Sequence, residues 1–201
     1  MSFIYKSLSY VLFVSIIWSK SMSDFKQANI EQATFGAGCF WCVEALFETI
    51  PGVIDVQSGY SGGHDENPNY KSVCSGTTGH AEVVNIKYNK LKISYEKLLE
   101  FFWEIHDPTT LNRQGADVGT QYRSAIYYHN EEQRLKAIKS KDIMNSNQQY
   151  NGKIVTEISP FVKMYIAENY HQNYYKLNPN APYCKIVIKE KLNKLIMSKK
   201  F

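Results

Sequence analysis

The order of secondary structure predicted from the sequence is typical of a mixed α+β fold. Strand-like alternation and helix-like spacing of apolar residues follow the order β-α-β, loop, β-α, loop, β-α-β, ending in a polar, loop-rich tail. This order lacks the regular βαβα repetition of a parallel α/β protein. The chain has 201 residues, 44% of them apolar, which suits one domain with a sizeable core. We therefore expect an α+β domain whose sheet is covered largely on one face.

The first half of the chain contains a predicted β-α-β unit followed by a long loop. Glu31–Ala37 is typical of a short strand. A helix is predicted over Cys39–Ile50, and Pro51-Gly52 ends it because this pair stops a helix and turns the chain. Val53–Ser58 alternates apolar and polar residues, which predicts a second strand. Residues 60–79 then form a loop rich in Gly, Asn, Pro and Ser, and a loop this long inside a compact domain often carries function.

The second half of the chain continues the mixed pattern. His80–Tyr88 alternates and predicts a strand, and Ser94–His106 has helical spacing with Ser94 as the N-cap. The next predicted elements are a polar loop over Thr109–Gly119, a strand over Tyr122–His129, a charged amphipathic helix over Glu131–Asn145 and a strand over Lys153–Ile158. We interpret the Lys-rich residues 185–200 as a solvated terminal helix, with a membrane-surface helix as the alternative.

The first 22 residues differ in composition from the rest of the chain. Lys6 precedes a mostly apolar run, Leu8 to Trp18, which is too short for a bilayer that needs about twenty residues. Ser19-Lys20-Ser21 has the small–x–small pattern that precedes cleavage of a secretory signal. We predict a signal or leader segment over 1–22 and a single domain with a flexible C-terminal tail over 23–201. If the leader acts as a signal, the protein is exported to the periplasm or secreted; otherwise it is cytoplasmic.

Charge and cysteine content exclude some classes of function. The 23 basic and 19 acidic residues leave a formal charge of only +4, and few of the basic residues are Arg, so the sequence does not indicate a nucleic-acid binder. Four cysteines are too few for a disulfide-stapled mini-protein but enough for a redox or metal site.

The densest chemical signal is the string Phe35-Gly-Ala-Gly-Cys39-Phe-Trp-Cys42-Val-Glu44. A strand runs into a glycine turn, and Cys39 follows at or near the first position of a helix. Free N–H groups and the helix dipole at that end stabilise a thiolate, so we expect a lowered pKa for Cys39. Cys42 lies one helical turn further on, where the Cα atoms are about 5–6 Å apart and within disulfide reach.

Three other interpretations of this cysteine pair stay open at this point. The pair is half of a zinc site if Cys74, Cys184, His64 or His80 complete it, although no second closely spaced pair exists. It is a thioredoxin-like redox pair, although Phe-Trp between the cysteines is bulky for that class. It is also compatible with two buried structural cysteines that carry no chemistry.

The string Gly38–Glu44 resembles the signature of the peptide methionine sulfoxide reductase A family. The resemblance continues in the family's order across about residues 32–184, through Gly59-Tyr-Ser-Gly-Gly63, Asn67-Pro-Asn-Tyr70, Val73-Cys-Ser-Gly76, Thr78-Gly-His-Ala-Glu82, His106-Asp-Pro-Thr109, Gln114-Gly115, Asp117, Gly119-Thr-Gln-Tyr-Arg-Ser-Ala-Ile126, His171-Gln172 and Asn178-Pro179. It implies a two-layer α+β sandwich of ferredoxin-like type with long active-site loops. It also implies thiol-dependent reduction of methionine-S-sulfoxide, both protein-bound and free, to methionine.

Sulfoxide reduction requires a nucleophile, a proton source and an apolar pocket for the S-methyl group. Cys39 is the candidate nucleophile, because attack by its thiolate would leave a sulfenic acid and methionine. The resemblance assigns Phe40 and Trp41 to the methyl pocket, with packing in the core as the alternative. Glu82 is the candidate general acid, a role that requires burial to raise its pKa.

The resemblance also implies roles for residues that the sequence alone does not single out. Tyr70 and Tyr122 resemble the family's two hydroxyl donors to the sulfoxide oxygen. Asp117 resembles a residue that organises the site and the resolving cysteine.

Four further residues lie in family segments, and we interpret them as structural. We expect His80 and His171 to be hydrogen-bonding histidines and Arg123 to anchor a loop through a carboxylate. We expect Cys74 to be a small buried packing residue.

A second thiol must clear the sulfenic acid, and two candidates are available. Cys42 is close in sequence, and Cys184 lies in a segment whose prolines and asparagines suggest mobility. A relay through a Cys39–Cys42 and then a Cys42–Cys184 disulfide is one route. The resemblance implies recycling by thioredoxin, and no metal or other cofactor is expected; we also expect a monomer. The alternatives are a general thiol–disulfide oxidoreductase and a metal-stabilised binding module.

Overall fold

The computed structural model describes residues 28–147 and 150–198, so the predicted leader over 1–22 lies outside the described residues and that prediction stays open. The strands are β1 Ile30–Ala37, β2 Val53–Ser61, β3 Ala81–Asn89, β4 Arg113–Gln114, β5 Asp117–Val118, β6 Ser124–Tyr128, β7 Glu157–Pro160 and β8 Met164–Ile166. The helices are α1 Phe40–Phe47, α2 Tyr70–Cys74, α3 Tyr95–Glu104, α4 Glu131–Ser146, α5 Tyr174–Leu177 and α6 Lys189–Ser198. Short 3₁₀ turns lie at Thr120–Tyr122 and Asn169–His171, and Cys184–Ile188 is π-helical.

Six of the strands form one sheet in the order β7-β6-β1-β3-β2-β8. All neighbours in it are antiparallel except β6 and β7, which are parallel. With α1 and α3, the four central strands make a β-α-β-β-α-β unit, which is the ferredoxin-like arrangement. The predicted α+β fold of ferredoxin-like type is therefore confirmed. Strands β4 and β5 pair separately inside the long loop before β6.

The main core lies between the sheet and the helices α1 and α3. Val84 and Ile86 on β3 are fully buried in it, and the Phe35 ring packs against Phe47 and Phe102 at centroid distances of 5.6 and 5.1 Å. Burying one such side chain stabilises the fold by about 1.5–3 kcal/mol. Because side chains alternate across a strand, Glu82 shares the face of Val84 and Ile86 and points towards α1.

Several predicted boundaries move in the structure. The first helix ends at Phe47 rather than Ile50, because Thr49 and Ile50 donate to carbonyls three residues back and tighten the last turn. The loop over 60–79 contains the short helix α2, which a reciprocal capping box between Asn69 and Ser72 stabilises. The helix is not evident from the sequence because Asn and Ser occur in loops as well as at helix caps.

Three further differences concern the second half. The predicted strand over Tyr122–His129 begins only at Ser124, because a 3₁₀ turn precedes it. The strand predicted over Lys153–Ile158 runs over Glu157–Pro160, where Pro160 is tolerated because β7 is an edge strand. The tail also contains the edge strand β8, which pairs with Gly59 to Ser61 of β2.

The Lys-rich end forms a helix, as predicted, but only part of it is solvated. Leu192 and Leu195 of α6 pack against the core, while Ile196 is exposed. Within the described ranges, every helix is too short or too polar to cross a membrane.

Candidate active site

Cys39 lies where β1 passes into α1. Gly38 has a φ of +92°, and a Cβ there would lie 2.7 Å from two side-chain carbons of Gln114, so a glycine is required for this approach. Cys39 is the N-cap of α1, and its carbonyl accepts hydrogen bonds from the N–H groups of Cys42 and Val43. The predicted position of Cys39 at the start of a helix is confirmed. Its side chain is half-buried and lines a small cavity.

Glu82 lies under the first turn of α1 and is 1% exposed. Its Oε2 accepts a hydrogen bond of 3.0 Å from the Phe40 N–H. Burial raises the pKa of Glu82 to about 8, and the negative charges of Asp117 and Cys42 add to the rise. At neutral pH this carboxyl group is therefore mostly protonated and holds a proton that it can donate.

The expected low pKa of Cys39 is wrong for the resting site. Burial raises the pKa of this thiol well above its usual value, and its hydrogen bond with Cys42 and the charge of Glu82 act in the same direction. The N–H of Phe40, in the first turn of α1, donates to Glu82. Cys39 therefore holds its proton until the surroundings of the site change.

Cys42 differs from Cys39 because its pKa is lowered rather than raised. It is 2% exposed, yet its hydrogen bond with Cys39 lowers its pKa, and the positive charge of Lys191 lowers it further. Of the two thiols, Cys42 is the one whose surroundings favour ionisation. Its Sγ also lies 3.5 Å from the hydroxyl of Tyr183.

Phe40 and Trp41 form an aromatic wall beside Cys39. Phe40 belongs to the main core, and its ring packs 5.0 Å from that of His171. The half-buried Trp41 stacks on Tyr174 at a centroid distance of 3.7 Å, and its Nε1 donates to Nδ1 of His171 at 2.9 Å. Packing in the core, the alternative for this pair, therefore describes Phe40, and the methyl-pocket role of both rings stays a prediction.

The charge of Glu82 reaches both Tyr70 and Tyr122. Burial raises the pKa of each phenol, and the charge of Glu82 contributes to both rises, so both hydroxyl groups stay protonated. The backbone N–H of Tyr70 donates to Glu168 at 2.9 Å, and Tyr60 donates to the other oxygen of that carboxylate at 2.8 Å. Glu168 therefore anchors the start of α2 to β2.

Asp117 reaches the thiols through a residue that the sequence did not single out. The hydroxyl of Tyr183 donates to Oδ2 of Asp117 at 2.8 Å and accepts from Cys42. The cavity they line, of about 110 Å³, is also lined by Cys39 and Lys191. The only sequence signal for Tyr183 was its position next to Cys184.

Cys184 lies behind Cys42 rather than beside Cys39. Its side chain is fully buried and shares a small apolar cluster with Cys42, Ala45 and Ile188. All four cysteines are free thiols. The site therefore holds Cys39, Cys42 and Cys184 in series, with Cys42 in the middle.

Of the four residues interpreted as structural, three have the expected contacts and one, Cys74, does not. Cys74 is exposed, so its interpretation as a buried packing residue is wrong; it ends α2, where only Val73 is buried. His80 hydrogen-bonds to backbone atoms of Gly63 and Asp65, and His171 to Trp41, as expected of structural histidines. The guanidinium of Arg123 donates to the Glu157 carboxylate at 2.9 Å, to the carbonyls of Gly79 and Thr120, and to the Tyr127 hydroxyl. Arg123 thus anchors its loop through a carboxylate. In residues 28–147 and 150–198, no group of three His, Cys, Asp or Glu side chains is placed to hold a metal ion.

The chain is similar to known proteins over most of its length. A family model described as peptide methionine sulfoxide reductase matches residues 31–201. The peptide methionine sulfoxide reductase MsrA of Saccharolobus solfataricus is 54% identical over 167 residues, which cover 83% of this chain and 93% of the relative.

Two crystal structures of Mxr1 from Saccharomyces cerevisiae resemble the fold. The reduced form has a TM-score of 0.73 and 37% identity, over 78% of this chain and 90% of that one. Mxr1 in complex with Trx2 has a TM-score of 0.52 and 26% identity, over 73% and 86% of the two chains. Together with the thiol, the buried acid and the aromatic wall, these similarities show that the chain belongs to the peptide methionine sulfoxide reductase family.

Proposed function

We propose that this chain reduces methionine-S-sulfoxide, free or within proteins, to methionine with Cys39 as the nucleophile. The observation that carries the proposal is the pairing of a half-buried thiol with a buried carboxyl group. The pKa of that group, Glu82, is about 8, so it is an acid at neutral pH. The reaction needs both a nucleophile for sulfur and a proton for the departing oxygen.

In the proposed first step, the oxygen of the sulfoxide moves to Cys39, and Glu82 supplies the proton and later recovers it. The Cys39 sulfur attacks the sulfoxide sulfur while Glu82 gives its proton to the sulfoxide oxygen. The S–S bond formed by this attack and the S–O bond of the substrate then both break as the hydroxyl group is transferred to Cys39, which becomes a sulfenic acid. The Cys39 sulfur loses an electron pair, the substrate sulfur gains it, and the proton released by the thiol returns to Glu82. The other product is methionine.

The neighbouring aromatic residues suit the two ends of a sulfoxide. The hydroxyl groups of Tyr70 and Tyr122 stay protonated beside Glu82 and are proposed to donate to the sulfoxide oxygen. Phe40 and Trp41 are proposed to receive the methyl group, because their rings form an apolar wall next to Cys39.

Resolution is proposed to pass along the series of thiols. Cys42 is hydrogen-bonded to Cys39, and Cys184 packs against Cys42. A Cys39–Cys42 disulfide that exchanges to Cys42–Cys184 would move the oxidised pair away from the nucleophile. We propose a thioredoxin-like dithiol as the reductant, since the similar yeast Mxr1 has been crystallised in complex with Trx2.

A single turnover without added reductant tests the proposal. We expect about one methionine released per chain, followed by a Cys39–Cys42 disulfide that converts to Cys42–Cys184, since Cys42 lies between the other two thiols. Peptide mapping of alkylated samples quenched at successive times gives the order. Cys184→Ser should stop at the first disulfide, and Cys42→Ser should accumulate sulfenic acid. Unmodified thiols and no methionine, in a chain that reduces insulin disulfides, would favour a general thiol–disulfide oxidoreductase instead.

Trp41→Phe tests the aromatic wall. Phe keeps an apolar ring but loses the 2.9 Å hydrogen bond to His171, so the wall loses its fixed orientation. A net loss of about 0.5–1.5 kcal/mol in binding free energy corresponds to a KM for methionine sulfoxide that is about 2- to 13-fold higher. Steady-state kinetics with a dithiol reductant measures it.

Trp103→Phe is the matched control. Trp103 is buried and its Nε1 donates to Ser140 at 2.7 Å, on the far helices α3 and α4. This variant should lower the melting temperature and leave KM unchanged. An equal rise of KM in both variants would show that Trp41 acts only through stability.

A further inference from the structure

Helix α6 brings one lysine of the Lys-rich tail to the thiols. Lys191 is half-buried and lines the cavity that Cys39, Cys42, Asp117 and Tyr183 also line. The interpretation of the tail as a solvated helix therefore does not describe this residue. The reaction proposed above assigns no role to Lys191.

The side chain of Lys191 is held in place. Its Nζ donates to the carbonyl of Ile105, at the C-terminal end of α3, at a distance of 3.4 Å. The neighbouring Leu192 packs against both the main core and the cluster of Cys42 and Cys184, which seats α6 beside the site. The Lys191 side chain is therefore part of the cavity wall rather than of the solvated tail, and its charge is within electrostatic reach of Cys42.

Charged and titratable groups face Cys42 from several elements. Cys39 hydrogen-bonds to it from the start of α1, and Tyr183 from the segment before the π-helical turn. Asp117 and Glu82 disfavour its thiolate when they are ionised, and Cys184 packs against it. In this set Lys191 contributes the positive charge, and the Coulombic attraction lowers the pKa of Cys42.

We propose that Lys191 is a positioning residue that stabilises the thiolate of Cys42 for its attack on the Cys39 sulfenic acid. The inference rests on the proposed function, which supplies that sulfenic acid. An S–S bond forms between Cys42 and Cys39, and the S–O bond of the sulfenic acid breaks. The Cys42 sulfur provides the electron pair and the sulfenic sulfur is reduced. Hydroxide leaves and becomes water with the proton given up by the Cys42 thiol.

With this role for Lys191, sulfoxide reduction and disulfide formation depend on different charged states of the site. The first step uses the protonated Glu82, and the second uses a thiolate that the positive charge of Lys191 stabilises. Because the charge of Lys191 acts on Cys42 and does not contribute to the shift of the Glu82 pKa, it assists the second step without lowering the pKa of the acid that serves the first.

Lys191→Met and Lys191→Arg test the proposal in the full chain. Met keeps the length and packing of the side chain without its charge, whereas Arg keeps the charge. Lys189→Met, at an exposed position of the same helix, is the matched control. The first readout is the pH dependence of iodoacetamide alkylation at Cys42, followed by fragment mass spectrometry. The midpoint should rise by about one pH unit in Lys191→Met and stay near that of the unaltered chain in the other two variants.

The second readout is a single turnover with methionine sulfoxide at pH 7. Lys191→Met should release methionine at the unaltered rate, while the Cys39–Cys42 disulfide forms about tenfold more slowly and recovers its rate near pH 9. An unshifted alkylation midpoint would overturn the proposal, as would Lys191→Arg behaving like Met or a first disulfide between Cys39 and Cys184. If the unaltered chain releases no methionine, the proposed function fails, and the alkylation midpoint alone then decides on Lys191.

Discussion

Cys39→Ser is expected to abolish the release of methionine from methionine sulfoxide, with a loss of at least about 10⁴-fold, because it removes the only atom proposed to attack the substrate sulfur. A serine hydroxyl is far less acidic than a thiol and cannot form the sulfenic acid. The fold should be retained, since Ser is a good N-cap and Cys39 occupies the N-cap of α1. Methionine released per chain in a single turnover, together with a thermal melt, measures both effects.

Cys74→Ser is the matched control for this result. Cys74 is an exposed thiol whose side chain hydrogen-bonds to Tyr70, so it lies near the same site but outside the series formed by Cys39, Cys42 and Cys184. We expect nearly unaltered methionine release from this variant. If Cys39→Ser still releases methionine and Cys74→Ser does not, the nucleophile has been assigned to the wrong cysteine.

Glu82→Gln is expected to slow the methionine-forming step by about 10²- to 10⁴-fold, which is the usual contribution of a general acid. Gln has nearly the shape of Glu, and its carbonyl can still accept the hydrogen bond from Phe40, so the first turn of α1 should stay in place. What Gln lacks is a proton that it can transfer to the sulfoxide oxygen. Single-turnover rates of methionine release measure the loss.

The pH profile distinguishes loss of the proton from loss of the fold. The unaltered chain should lose activity as the pH rises through about 8, where Glu82 gives up its proton, and this decline should be absent in Glu82→Gln. The pKa of Glu82 is raised in the folded state, so the folded chain binds this proton more tightly than the unfolded chain does. Between about pH 4.5 and 8 the unaltered chain should therefore lose stability relative to Glu82→Gln as the pH rises.

Glu44→Gln provides a second buried glutamate as the control. Glu44 is 1% exposed on α1, and burial raises its pKa to about 7, yet it points towards Asn173 and Tyr174 rather than towards Cys39. This variant should show the same direction of change in stability with pH, without the loss of the methionine-forming step. If the two variants lose activity equally, Glu82 acts through stability rather than as an acid.

Local patterns were sufficient to predict the elements that form the core. The alternation in β3 and the helical spacing of α3 depend only on neighbours along the chain, and Ser94 caps α3 as expected. Local patterns failed where one residue type serves two purposes. Asn and Ser, which occupy positions 69 and 72, occur in loops as well as at helix caps, so the local pattern does not predict α2, and β8 is too short to show an alternation.

In the candidate site too, some residues can be predicted from the sequence and others depend on contacts made only in the folded chain. The sequence string around Cys39 and the family resemblance were enough to name the candidate nucleophile, acid and resolving thiols. The pKa of Cys39 could not be predicted from its helix position, because burial, the hydrogen bond with Cys42 and the charge of Glu82, 43 residues later in the chain, raise it. Tyr183 and Lys191 could not be predicted either, since they come from the tail and meet the thiols only in the folded chain.

The fold class, the family and the residue types that the chemistry needs can be predicted from the chain alone, because they depend on local patterning and on a long run of motifs in order. The opposite pKa shifts of Cys39 and Cys42, and the position of Cys42 between Cys39 and Cys184, emerge only in the folded chain. They emerge there because burial and charge shift a pKa through space. The groups responsible for these shifts lie far from the cysteines in the sequence.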